Sequence, residues 1–67
     1  MSVARVTEIT ASSTTSFEDA IAQGIARANQ TLTNVEGAWV QQQTVACEAG
    51  KIKEYRVNMK VTFILTD

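Results

Sequence analysis

The chain has 67 residues, six basic and seven acidic side chains, no His, one Cys and no Pro. A net charge of −1 gives no basic face for nucleic acid. A single cysteine allows no internal disulfide, and without His or a second Cys no zinc set of the usual spacing forms. No apolar run is long enough to cross a bilayer as a helix, so neither nucleic acid nor membrane is expected as a partner. Residues 1–67 are expected to form one domain. A domain this small buries only about 60% of the surface its unfolded chain exposes. Domains of this size usually rely on a disulfide, a metal or an oligomeric partner, and the composition favours the last. The opening MSVARVTEIT lacks the apolar core of a signal peptide, and the lone Cys47 suits a reducing compartment, so a cytoplasmic protein is expected.

Residues 3–10 (VARVTEIT) are rich in β-branched side chains and predict a strand. Val3, Arg5, Thr7 and Ile9 share one face, and Ala4, Val6, Glu8 and Thr10 the other. Residues 11–15 (ASSTT) predict a polar loop. Ser16 is then a helix N-cap, with Asp19 approximating the reciprocal partner of a capping box. Glu18 and Asp19 also suit the positive end of a helix dipole. Phe17, Ala20, Ile21, Gly24, Ile25, Ala28 and Leu32 recur at helical spacing, which predicts a helix over 17–31 with a narrow apolar stripe. Gly24 in that stripe costs roughly 1 kcal/mol against Ala, so close approach of the helix to a sheet is expected there.

Asn34 and Gly37 are turn or bulge positions. Residues 38–48 predict a second strand, Glu48–Lys51 a short turn with Gly50 at positive φ, and residues 52–65 a third strand. Tyr55, Val57, Met59, Val61, Phe63 and Leu65 face one way along it, and Glu54, Arg56, Asn58, Lys60 and Thr62 the other. The fold class that follows is α+β: a βαββ chain whose three-stranded antiparallel sheet, in the order 1-3-2, wraps on one helix. A third strand of this length runs more than about 40 Å, whereas a compact domain of this size has a radius of gyration of about 11 Å. Part of the hairpin therefore projects and requires a cover.

No nucleophile and base can be paired in the usual way without His, and Cys47 in a strand pattern reads as a packing residue, so no enzyme is expected. The carboxylates show no calcium-loop spacing, which leaves the residues of any metal site unknown. Trp39 is the sole tryptophan and sits beside Gln41, Gln42 and Gln43. If no bulge intervenes, Trp39, Gln41 and Gln43 share a face. An indole flanked by amides can stack on and hydrogen-bond a flat heteroaromatic ligand, or it can sit at a subunit contact. Arg56 can clamp an anionic group or pair with a neighbouring glutamate.

The order of parts resembles the dodecin family of small flavin-storage proteins. The resemblance spans nearly the whole chain: TEITASSTTS closing the first strand, SFEDAI opening the helix, RANQTLTNV closing it, and AGKIKEYRVNMKVTFIL as the last turn and strand. It implies a hollow homododecamer that stores riboflavin, FMN or a related flavin without turnover. Flavin-binding dodecins stack the ring on a Trp three residues after the Asn that ends the helix; here that position is Gly37, and Trp39 lies two residues further on. They also use a Gln after the Tyr of the last strand, where this chain has Arg56. A second subgroup lacks that Trp, carries Arg after the Tyr and is associated with calcium, and this sequence resembles it more closely. The ligand site is therefore expected among Gly37, Trp39, Gln41, Gln43 and Arg56, with flavin or calcium as the ligand.

Overall fold

The computed structural model describes residues 3–65. Its elements are β1 (Ala4–Ser13), α1 (Phe17–Thr31), β2 (Val35–Glu48) and β3 (Lys51–Ile64). β3 lies between β1 and β2 and is antiparallel to both, which gives the predicted α+β sheet in the order β1-β3-β2.

β1 runs further than its sequence pattern indicates. Ala11, Ser12 and Ser13, expected in a loop, continue the ladder opposite Val57, Arg56 and Tyr55. β3 is long enough to supply partners for them, and backbone pairing outweighs the weak strand preference of Ala and Ser. β2 likewise starts early, at Val35, because Asn34 takes the left-handed turn at φ 59. Asn tolerates that conformation through its short polar side chain. The β2–β3 turn places both Ala49 (φ 53) and Gly50 (φ 76) at positive φ, the geometry of a two-residue type I′ hairpin.

The helix begins as its cap predicts, with Ser16 Oγ accepting from the Asp19 amide at 2.9 Å. The Asp19 carboxylate does not complete a capping box. It accepts instead from Ser13 Oγ at 2.6 Å and from Gln23 Nε2 at 2.5 Å. Its side chain is a carbon shorter than Glu, and the extended β1 brings a buried hydroxyl within reach. Ser13 Oγ also accepts from the Thr15 amide at 2.9 Å, so this side chain fastens the β1–α1 connection.

The helix stripe packs on the side of the sheet where β3 presents Val57, Met59 and Val61, all fully buried. Ala20, Ile21, Ile25, Phe17, Ile9, Ala11 and Val40 complete this core. Phe17 meets Tyr55 edge to face, with ring centroids 5.1 Å apart. Gly24 is a close-approach position, as expected: a Cβ there would lie 2.7 Å from Met59 Cε and 3.0 Å from Ala11 Cβ. The molecule is elongated, 51 × 19 × 13 Å, with a radius of gyration of 13.7 Å. β1 ends opposite Tyr55, so β2 and β3 project beyond it as a two-stranded ribbon. Among the described residues the core holds only three fully buried side chains larger than alanine, which is thin support for an isolated chain.

Candidate functional site

The sheet face opposite the helix is open, and the strand registers arrange it in rows. One row is Glu8, Lys60 and Trp39, and the next is Thr10, Asn58 and Gln42. Beyond these lie Ser12, Arg56 and Thr44 on one side and Val6, Thr62 and Gly37 on the other. Rows on one face are two residues apart along each strand, a spacing of roughly 7 Å.

The decisive local feature is a bulge in β2. Register passes from Val40 opposite Met59 directly to Gln42 opposite Asn58, leaving Gln41 as the extra residue. A bulge reverses the face of every residue that follows it. The result corrects the expectation that Trp39, Gln41 and Gln43 share a face. Trp39 and Gln42 stand on the open face, and Gln41 joins them by donating from Nε2 to Asn58 Oδ1 at 2.5 Å. Gln43 falls opposite buried Val57, on the helix side of the sheet.

Glu8, Trp39, Gln41, Gln42, Asn58 and Lys60 line an open-sided groove of about 500 Å³. Trp39 is 64% exposed, and Lys60 Nζ stands 5.6 Å from its ring centroid, within cation–π range. Asn58 is the hub of the polar network. Its Nδ2 donates to Glu8 Oε2 at 3.1 Å and to Thr10 Oγ1 at 3.2 Å, while its Oδ1 accepts from Gln41. Sequence reasoning placed Asn58 and Lys60 on the polar side of the last strand but did not single them out. Their link to Glu8 depends on a pairing 50 residues apart in sequence.

The other expected site residues stand apart from this groove. Arg56 lies one row beyond Asn58 and donates from Nε to Glu54 Oε1 at 3.1 Å, a pair on the same face of the same strand. Hydrogen bonding by Arg56, and secondarily by Ser12, holds the Glu54 carboxyl below its ordinary range. Gly37 is exposed opposite Thr62, and a Cβ added there would meet nothing within 4 Å. Cys47 does not pack as expected, because it is exposed on the projecting ribbon opposite Ile52.

The residues lining the groove suit a flat ring. The groove offers an exposed indole for stacking and amides beside it for a polar ring edge. Among the described residues, no three of His, Cys, Asp and Glu converge on one point, and Glu8 is the one carboxylate lining the groove. A calcium ion takes six to eight oxygens, and among the described residues no cluster of three carboxylates stands ready to supply them.

Comparison with known proteins agrees with this architecture. The dodecin family model matches residues 3–66. The calcium dodecin of Mycobacterium tuberculosis is 39% identical over 64 residues, covering 94% of this chain and 89% of that protein. The structure of the dodecin from Streptomyces davaonensis superposes with a TM-score of 0.94 at 36% identity, covering 98% of this chain and 97% of that one. The crystal structure of the calcium-chelating calcium dodecin of M. tuberculosis gives 0.82 at 34% identity, covering 96% and 91%. Matched along nearly its whole length by sequence and by fold, the chain belongs to the dodecin family.

Proposed function

We propose that this protein is a non-catalytic homododecameric shell that binds and stores a planar heteroaromatic ligand, riboflavin or FMN, by stacking on Trp39. The observation that carries this reading is the 64% exposed indole bordering an amide-lined groove on the open sheet face. An exposed indole offers a flat apolar face on which a planar ring can stack. Gln41 and Gln42 flank the stacked ring, Gly37 leaves space one row away, and Gln43 and Arg56 take no part.

Self-association is supported by what one chain leaves uncovered. Val6 and Trp39 are exposed on the open face, Val45 where β1 ends, and Ile52 on the ribbon. A second groove, of about 530 Å³, follows β1 beside the helix and is lined by Ile9, Ala11, Gly24, Ala28 and Leu32 among others. Additional copies of the chain are the economical cover for these surfaces. The exposed free thiol of Cys47 suits a reducing compartment, and we assign the protein to the cytoplasm.

Titration of riboflavin and FMN into the purified protein, followed by flavin fluorescence, tests the reading. Saturable quenching in the wild type that is lost in Trp39→Ala, with assembly retained in native mass spectrometry, is expected. Unchanged flavin fluorescence in the wild type would refute it. A second reading is favoured by the 39% identity to a calcium dodecin together with Gly37 and Arg56: a shell without flavin that holds calcium with oxygens from more than one copy. Calorimetric titration with calcium distinguishes the two, since only the second predicts saturable uptake by flavin-free protein.

A further inference from the structure

The polar network beside Trp39 has a direction that its chemistry imposes. An ionised carboxylate accepts hydrogen bonds and cannot donate. Glu8 Oε2 therefore requires the Nδ2 side of Asn58, found at 3.1 Å. The same Nδ2 side also meets Thr10 Oγ1 at 3.2 Å and the Ile9 carbonyl at 3.5 Å. Asn58 Oδ1 is thereby turned toward β2, where it accepts from Gln41 Nε2 at 2.5 Å. Gln41 must then present its carbonyl Oε1 away from Asn58, and that oxygen has no hydrogen-bond partner among the described residues. The bulge matters here as well, because it carries Gln41 onto the face and into the groove that Trp39 lines.

From this relay we infer that Glu8 is a positioning residue for ligand specificity. Acting through Asn58, it orients Gln41 to offer an acceptor, so the groove selects planar heteroaromatics that carry an N–H donor on their edge. The inference rests on the stacking reading above and names the edge chemistry of that same site. Riboflavin has such a donor in its imide N3–H; 3-methylriboflavin has the same ring and side chain without it. Glutamine in place of Glu8 either accepts or donates, which leaves the 3.5 Å contact to the Ile9 carbonyl as the remaining acceptor-only restraint on Asn58, too long to keep Asn58 and Gln41 from turning over together.

The test is the ratio of dissociation constants for 3-methylriboflavin and riboflavin, read from flavin fluorescence with assembly checked by native mass spectrometry. One neutral hydrogen bond between ligand and protein corresponds to a preference for riboflavin of about tenfold. Wild type and Glu8→Asp are expected to show that preference. Glu8→Gln is expected to bring the ratio within about threefold while Trp39-dependent quenching persists. Asn58→Leu, which cuts the relay at its centre, provides a second variant with the same expected loss of discrimination. A preference that survives in Glu8→Gln overturns the inference, as does equal binding of both flavins by the wild type with quenching still dependent on Trp39. Failure of the wild type to bind either flavin removes the stacking reading itself, and the inference with it.

Discussion

Gly24→Ala tests the closest contact between helix and sheet. Two terms of opposite sign meet at this position. Alanine gains about 1 kcal/mol over glycine in a helix interior. Its Cβ, however, would lie 2.7 Å from Met59 Cε and 3.0 Å from Ala11 Cβ. The Met59 methyl is the end of a flexible chain and can rotate aside at a cost of roughly 0.5–1.5 kcal/mol, although Met59 is itself fully buried and has little room. Ala11 has no such freedom. Its Cβ is held by the β1 ladder opposite Val57, so α1 must lift from β1 by a few tenths of an ångström. Overpacking of this kind costs about 1–3 kcal/mol, so the net expectation is a destabilisation of about 1 kcal/mol. The assay is urea unfolding followed by far-UV circular dichroism, at fixed protomer concentration because assembly contributes to stability. Ala11→Gly in the same background should recover part of the loss, with a coupling energy of at least about 0.5 kcal/mol in the double-mutant cycle. A Gly24→Ala protein more stable than wild type, with no coupling to position 11, would refute the close-packing argument.

Three further outcomes are expected. Ser16→Ala removes the acceptor for the Asp19 amide and should cost about 1 kcal/mol in urea unfolding, whereas Ser13→Ala, which removes one of the two donors to the Asp19 carboxylate and the acceptor for the Thr15 amide, should cost at least as much. Ala49→Asn suits the left-handed turn position at φ 53 and should stabilise by about 0.5–1 kcal/mol, seen as a rise of a few degrees in melting temperature. Glu54 should titrate below the ordinary glutamate range by carbon-detected NMR, and Arg56→Met should move it upward. Because its folded-state pKa is depressed, its contribution to stability is present above the ordinary glutamate range and declines as pH falls through the folded-state value. Absence of any upward shift in Arg56→Met would remove Arg56 as the cause.

Much of this molecule is written in local pattern. The helix stripe, the Ser16 cap, the alternation of β3 and the positive φ of Gly50 each depend on residues within a few positions of one another, so periodicity and turn chemistry suffice to read them. The length of β3 already implied an elongated shape, and that shape follows from strand rise alone. The family was legible from the same order of parts.

Tertiary structure alone decided which residues meet at the site. The bulge at Gln41 lies in a run of three similar glutamines with no glycine to mark it, and it shows only as a slip in the pairing of β2 with β3. That single extra residue sends Gln43 to the helix side and brings Gln41 and Gln42 to Trp39. The network of Glu8, Asn58 and Gln41 joins three strands, two of them through a contact spanning 50 positions. A one-dimensional pattern specifies which face a residue takes within an unbroken strand. It does not specify where a ladder slips, because that is settled by the partner strand and by the helix packed behind it.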